Sequence, residues 1–502
     1  QGYINRLDRI TGESVFIQPQ PGVGEGEERF NWDSPILPSQ HVPSTIYFAS
    51  HRVWKSTDRG DSWTAISGDL TKGKDRITEP IMGRTQSWDH AWDLYAMSEF
   101  STITSLGESP INPDVLYAGT DDGLLQYTTD GGANWNAVDV GSIRGVPENA
   151  FVNDVRADLF DEATVYAALD NHKEGDFKPY LIKSTDYGKS WSLMTGNLPE
   201  KGMVWRIVQD HVNKDLFFLA HEFGVYFTID GGNEWIKMTG GLPTIAFRDI
   251  TIQRRENDVV GATFGRGFYI LDDYTPLRTL NAEMLAKDAH LFDPRDGDWY
   301  VQRNTQGNMG ADYYAAPNPD YGVTFTYYMK EGLTTLEQQR RKKEKELGDA
   351  DIPFPGWDAL EAEMREKAPE VHLEIYDADG AFVQRVKGRT SKGIHRISWN
   401  MSTASQGLID PERSGGWSRG NMARPGTYTA QLVKMEDGVT TAMGNAVEFE
   451  LIPLYEGALP RKSDAEVLAF QKELQEFSNY VQRAGTKLRE ATDKVKAMQV
   501  AL

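Results

Sequence analysis

Ser56-Thr57-Asp58-Arg59-Gly60-Asp61-Ser62-Trp63 is a turn that the chain uses four times. It returns as Thr128-Thr129-Asp130-Gly131-Gly132-Ala133-Asn134-Trp135, as Ser184-Thr185-Asp186-Tyr187-Gly188-Lys189-Ser190-Trp191, and as Thr228-Ile229-Asp230-Gly231-Gly232-Asn233-Glu234-Trp235. The shared pattern is Ser/Thr-x-Asp-x-Gly-x-x-Trp. Each fixed position has a physical task. The Asp carboxylate accepts hydrogen bonds from backbone N–H groups further along and closes the turn. The Gly supplies the positive φ of a tight connection between strands. The Trp opens the next strand and covers the turn with apolar surface.

Around each copy the same strand order is predicted. An apolar run with an aromatic comes first: Thr45–Ala49, Val115–Gly119, Thr164–Ala168 and Leu216–Ala220. After a short loop, a second run leads into the turn: Arg52–Lys55, Leu124–Tyr127, Tyr180–Lys183 and Val225–Phe227. Short β-runs repeated at tens of residues imply a radial array of small sheets. Unequal spacing between the copies places insertions in loops, where binding residues concentrate. A fifth unit, Val259–Asp273, has lost the motif and carries Asp273-Tyr274-Thr275-Pro276 in its place. Tyr3–Leu7 and Ser14–Ile17 supply the outer half of another unit. The expectation for residues 1–280 is therefore a half blade plus five. A ring lacking two inner strands leaves a long apolar edge, so preceding N-terminal propeller sequence or a companion chain is expected to complete it. The chain opens on Gln1 without Met and without a leader-like sequence, which reads as a processed or fragmentary chain.

The four-fold motif resembles the Asp-box of the bacterial neuraminidase repeat, and the chain resembles that family and the sortilin-type propellers that share the motif. The resemblance implies a mainly β fold built on a β-propeller, incomplete in this chain. It implies that Asp58, Trp63, Asp130, Trp135, Asp186, Trp191, Asp230 and Trp235 are structural, since the family's boxes lie on the face away from the ligand.

The remainder changes in composition. Residues 281–369 are expected as a connecting region, with a strand at Val323–Tyr328 and a charged, solvated helical excursion at Leu336–Leu347. Residues 370–455 alternate as in a small β-sandwich. The stretches 377–380, 393–400 and 424–432 resemble the Ig-like domain of the flagellar hook-capping type, which often follows propellers in exported bacterial proteins. The resemblance implies an extracytoplasmic setting, secreted, periplasmic or cell-surface. Residues 460–502 read as one long helix opened by the capping box Ser463-Asp464-Ala465-Glu466. Val467, Phe470, Leu474, Phe477, Val481, Ala484, Leu488, Ala491, Val495, Met498 and Leu502 follow in alternating steps of three and four, a coiled-coil seam that needs a partner helix.

Composition excludes several classes. With 53 basic and 74 acidic residues, the net charge of −21 repels nucleic acid and anionic lipid. There is no cysteine for a disulfide or thiolate metal site. No apolar run reaches the ~18 residues of a membrane span. The nine histidines include no pair at helical ligand spacing, no Gly-rich phosphate loop precedes a helix, and Asp121-Asp122-Gly123 is a weak Ca²⁺ signal. No cofactor or metal is expected.

The loops between the second and third strands share one face. They carry His51 and Arg52, Asp121 and Asp122, the stretch 171–178, His221 and Glu222, and Arg266. Trp88 and Trp92, in the insertion after Asp69, add aromatic surface suited to a sugar or peptide. Two function classes stay open. One is a non-catalytic extracytoplasmic platform for glycan or protein ligands, with His51, Arg52, Trp88, Trp92, His221 and Arg266 as binding candidates. The other is a sialidase- or xyloglucanase-like glycoside hydrolase, with Asp121 or Asp122 paired with Glu222 across a cleft. A sialidase also needs three arginines around the substrate carboxylate. Arg206 in Val204–Val208 resembles part of that motif but lacks its proline. For the loop candidates, an ordinary polar loop residue with local turn bonds is the competing reading; for Trp88 and Trp92 it is packing over the adjacent blade.

Overall fold

The structure is a computed structural model that describes residues 2–80, 83–87, 89, 99–302, 316–405, 407, 420–455, 457, 460 and 462–501. The chain divides into two compact units, Gln1–Arg278 and Thr279–Leu502.

The first unit is a β-propeller of small antiparallel sheets, each following the chain from strand to neighbouring strand. The four motif-bearing blades each have four strands. The first blade is Ile36–Pro38, Ile46–Ala49, Val53–Ser56 and Thr64–Ala65. The second is Ile103–Glu108, Leu116–Thr120, Leu124–Thr128 and Asn136–Asp139. The third is Phe151–Ala157, Val165–Asn171, Asp176–Ser184 and Ser192–Leu193. The fourth is Val204–Gln209, Phe217–His221, Gly224–Thr228 and Ile236–Lys237. In all four the last strand begins directly after the motif Trp, as the sequence predicts. First strands of successive blades pack against one another: the Thr104 hydroxyl donates to the Val152 carbonyl at 2.7 Å, and the Asn153 amide to the Val204 carbonyl at 3.3 Å. The first strands therefore form the inner wall. Between the blades lie apolar layers, such as Tyr166, Ala168 and Leu181 against Val204, Ile207 and Leu219.

The repeated turn has one geometry. The first residue's hydroxyl donates to the Asp Oδ1 at 2.7–2.8 Å and accepts from the Gly N–H at 2.7–3.1 Å. The same Oδ1 accepts the N–H four residues on, at 2.9–3.0 Å. The Gly has φ of +90 to +98° in every copy. Its missing Cβ has a second reason. A methyl on Gly60 would strike Ile17, one on Gly132 the Ile66 carbonyl, and one on Gly232 the Met194 side chain. Trp63, Trp135 and Trp235 donate their indole N–H to the carbonyls of Ile17, Ile66 and Met194, at 2.7, 3.0 and 3.2 Å. Ile66 and Met194 directly follow the last strand of the preceding blade. The turn is thus a clasp from one blade to the one before it. Trp191 departs from the pattern and donates to Gly188 of its own turn at 2.9 Å.

This clasp identifies the N-terminal hairpin. Asn5–Leu7 and Ser14–Phe16 form a two-stranded sheet, and Ile17, directly after it, receives Trp63 as Ile66 receives Trp135. The hairpin therefore occupies the place of the two outer strands of a blade. The fifth unit is not the full blade that the sequence predicts. It has three strands, Phe247–Gln253, Asp258–Thr263 and Phe268–Leu271. After them the chain turns through a 3-10 segment at Thr275–Arg278. Tyr274 and Arg278 anchor there on buried Asp210 of the fourth blade, with the tyrosine hydroxyl donating at 2.5 Å and the guanidinium Nε at 3.0 Å. That anchor replaces the clasp.

The second unit is a two-sheet sandwich followed by a helix. One sheet is Ala289–Leu291, Val323–Met329 and Gly393–Trp399. The other orders Gly297–Trp299, Val439–Pro453, Gly426–Glu436, Glu370–Asp377 and Phe382–Lys387. Their inner faces share one core that includes Phe325, Tyr327, Leu373, Trp399, Tyr428 and Phe449. The sandwich thus starts at Ala289, well before the expected boundary at 370. Two strands from the stretch expected as a connector, Ala289–Leu291 and Val323–Met329, help to cover the apolar face of the larger sheet, and a third, Gly297–Trp299, extends that larger sheet at its edge. The charged excursion forms the short helix Leu336–Glu346; a second short helix, Trp357–Arg365, not anticipated from the sequence, pairs with it through an Arg340–Glu363 ion pair at 2.7 Å, and neither has a buried residue. The last helix runs Asp464–Ala501. Its capping box is formed: the Glu466 carboxylate accepts the Ser463 N–H at 3.0 Å, and the Ser463 hydroxyl accepts the Glu466 N–H at 3.3 Å.

Candidate functional site

In each blade the second-to-third strand loop lies at the sheet end opposite the repeated turn, because neighbouring strands run antiparallel. The candidates on these loops therefore face away from the clasps. On this face a cavity of about 210 Å³ opens between the second and third blades. Its walls include Asp121 of the second blade, Asp170, Lys173 and Glu174 of the third, and Arg76 and Glu79 of the insertion after Asp69. The Arg76 guanidinium lies 5.0 Å from the Phe100 ring centre, and the Lys173 ammonium 4.9 Å from that of Phe151. Burial, with Arg76 as a second cation, lowers the Lys173 pKa. Burial also opposes ionisation of Asp170, but hydrogen bonds from the His172 ring and the Asn153 amide outweigh it and hold this carboxyl below its ordinary range.

Asp121 and Asp122 are buried and internally bonded. Asp121 accepts the Thr102 N–H and the Thr102 hydroxyl, both at 2.8 Å, one on each oxygen. Burial pushes its carboxyl up to about 7, against the pull of those two donors. Asp122 accepts the Thr120 hydroxyl at 2.6 Å and the Lys72 N–H at 2.7 Å, again one on each oxygen.

Other candidates are held by the chain itself. His51 accepts the Arg29 N–H at 3.3 Å, and burial lowers its pKa despite nearby Glu28. Arg52 pairs with Glu28 and Glu25 and lies 4.5 Å over the Trp54 ring. His221 is fully buried. Its Nδ1 accepts the Phe223 N–H at 3.1 Å, its ring meets Tyr226 edge-on, and burial drops its pKa to about 4. Arg266 is exposed on the last of these loops, its N–H donating to Thr263 at 3.1 Å. Trp88 and Trp92 lie outside the described residues.

Glu222 differs from the rest. Its Oε2 is buried and accepts no hydrogen bond from the described residues. Burial raises its pKa, with Arg248 and His172 pulling the other way. Arg248 stacks 3.7 Å from the Trp205 ring centre, and His172 also approaches that ring. Arg206 bridges to Asp249 at 3.2 Å and is committed within the inner wall.

The structure thus brings Asp121 together with the 171–178 loop and places His172 in the electrostatic reach of Glu222. Arg76, Glu79, Asp170, Trp205 and Arg248 escaped sequence reasoning. The one signal for Arg76 and Glu79 was their position in the insertion already marked by its tryptophans. Among the described residues no group of three His, Asp or Glu side chains is arranged to hold a metal ion, and no helix is long and apolar enough to cross a membrane.

No family model and no curated protein matches the chain. Among solved structures it is similar to propellers. The Cps50 (Swd1) β-propeller domain of Myceliophteria thermophila aligns at 12% identity and a TM-score of 0.35, over 51% of this chain and 70% of that one. An ancestral GH74 enzyme aligns at 14% identity and a TM-score of 0.37, over 83% of this chain and 54% of that one, so this chain spans about half its length. YCF48 bound to D1 peptide aligns at 17% identity and a TM-score of 0.27, over 34% of this chain and 51% of that one. The fold class is a β-propeller with a C-terminal helix. None of these likenesses carries a functional argument.

Proposed function

We propose that this chain is a non-catalytic binding platform whose ligand site is the charged cavity between the second and third blades. One observation carries the reading: every oxygen of Asp121 and Asp122 is taken by an internal hydrogen bond. Carboxylates locked in this way keep loops in place and are poor at exchanging protons with a substrate. The cavity presents both signs of charge, with Arg76 and Lys173 against Glu79 and Glu174. Its size fits one polar group, a sugar ring or a charged peptide side chain. The clasps on the far face, which correspond to the Asp-box of the resemblance, serve stability. The Ig-like sandwich acts as a spacer, the long helix as an assembly element, and the setting is extracytoplasmic.

The glycoside hydrolase reading retains two raised carboxyls, Asp121 in the cavity wall and Glu222, whose Oε2 has no hydrogen-bond partner among the described residues, and a raised carboxyl is how a general acid is prepared. The test measures both activities on the full chain. Panels of glycans and of charged peptides are screened for binding, with Lys173→Ala expected to abolish any binding found. In parallel, aryl glycosides are screened for hydrolysis. Turnover that disappears in Glu222→Gln, with the variant folded, moves the protein to the second reading.

A further inference from the structure

We propose that the helix Asp464–Ala501 pairs with the same helix of a second copy of this chain, antiparallel and in a single register. Its seam is uncovered from Phe470 onward, with Val467 half-buried: Phe470 is 63% exposed, Leu488 71% and Met498 65%, with Leu474, Phe477, Val481 and Val495 also exposed. At 38 residues the helix is about 57 Å long. Among the described residues, the other helices of the unit with two or more turns, of 11 and 9 residues, are too short to cover it.

Charge selects the occupant. The first half of the helix carries Asp464, Glu466, Glu473 and Glu476 against Lys472. The second half carries Arg483, Lys487, Arg489, Lys494 and Lys496 against Glu490 and Asp493. An acidic first half and a basic second half are complementary only head to tail. The helix dipole favours the same bias, but its reach is the terminal turns, and Glu473 and Lys487 lie well inside them.

The seam selects the register. With Val467 and its partner seam residues at heptad position a, and Phe470 and its equivalents at d, one antiparallel alignment fills every layer. Val467 meets the partner's Met498, Phe470 the partner's Val495, and Leu474 the partner's Ala491. Phe477 meets the partner's Leu488 and Val481 the partner's Ala484. Both alanines then face larger side chains, so the layers fill without voids. In the same alignment the flanking g positions place Glu473 beside the partner's Lys494 and Tyr480 beside the partner's Lys487, an ion pair and a cation–π contact, each made twice. The flanking e positions, Gln471, Ser478, Gly485, Thr492 and Gln499, carry no charge. A parallel pair stacks alanine on alanine at 484 and 491 and Phe on Phe at 470 and 477. Its flanking contacts set Glu473 against Ser478 and Lys494 against Gln499, with no ion pair.

The test uses the full chain in light scattering across a dilution series, with circular dichroism as the folding control. Twice the chain mass is expected, falling to the chain mass on dilution. Glu473→Lys alone and Lys494→Glu alone each weaken the dimer by about tenfold, and an equimolar mixture of the two variants restores it. Because the chain has no cysteine, Leu474→Cys and Ala491→Cys report direction. Oxidation links the two when mixed and neither to itself. A monomer at every concentration, or disulfides joining each variant to itself, overturns the proposal.

Discussion

Gly132 shows how one residue of the repeated turn serves two constraints. It sits at φ +98°, and a Cβ there would press on the Ile66 carbonyl of the preceding blade. Gly240 shares the positive φ, at +94°, but faces open space. Gly240→Ala is expected to cost about 1 kcal/mol, the strain of a left-handed L-residue. Gly132→Ala is expected to cost about twice that or more, because backbone must also move. Urea unfolding of the two variants measures the difference. Equal losses would show that the clasp tolerates a wider gap. Asp230→Ala leaves the Asn233 and Glu234 N–H groups without their acceptor and is expected to lower stability by about 1 kcal/mol, since water reaches this exposed turn.

Two sets of aspartates give opposite pH trends. Hydrogen bonds hold the turn carboxyls low: Asp58 falls to about 2, led by the Ser62 hydroxyl, and Asp130 is lowered chiefly by the Asn134 amide. In Asp186 and Asp230 burial works the other way, but the turn donors outweigh it. Below their unfolded pKa the unfolded chain takes up protons first, so stability falls with pH from about 4. Asp121 is reversed. Its carboxyl is raised to about 7, so the folded state holds its proton longer and stability declines as pH rises from about 4 to about 7. Asp121→Asn, which preserves the shape and offers an acceptor to the Thr102 N–H, is expected to flatten that decline. Unfolding curves at pH 5 and pH 7.5 test this, and an unchanged difference between them would mean that Asp121 is ionised throughout.

At the scale of elements, the anchor that closes the fifth sheet is the sharpest target. Asp210 is fully buried and accepts from Tyr274, Arg278 and two backbone N–H groups. Asp210→Ala strands a guanidinium and a phenol against the fourth blade. The expected loss is about 2–4 kcal/mol, with hydrogen exchange rising first in Phe247–Leu271. Protection that stays uniform across the blades would show that the fifth sheet is held by its inner wall alone. The strand order around each turn was legible from local pattern, because alternation and turn chemistry act over a few residues. The missing fourth strand of this sheet was not, since Tyr274 and Arg278 find their partner some sixty residues away.

For the whole molecule, the two ends of the blades are expected to respond differently to substitution. Lys173→Ala, in the cavity, should remove ligand binding and leave unfolding nearly unchanged. Asp230→Ala, in a far-face clasp, should do the reverse. Calorimetric titration beside thermal unfolding separates the two, and loss of binding in both variants at temperatures where both are folded would place the ligand elsewhere. The four motif-bearing blades, the local closure of their turns and the apolar seam of the last helix were legible in the chain alone, since these follow from periodicity and from turns closed within eight residues, whereas the grip of Trp63, Trp135 and Trp235 on the preceding blade spans some forty to seventy residues. Which polar residues are available to a ligand is set instead by tertiary packing. Asp121, Asp122, His51, Arg52 and His221 read as candidates in the chain, yet each is bonded or buried by segments distant in sequence or by the packing of its own blade. Arg76, Lys173 and Asp170 face a common cavity only because two blades and an insertion meet there. Burial and long-range hydrogen bonding set those environments, and neither is encoded in local spacing.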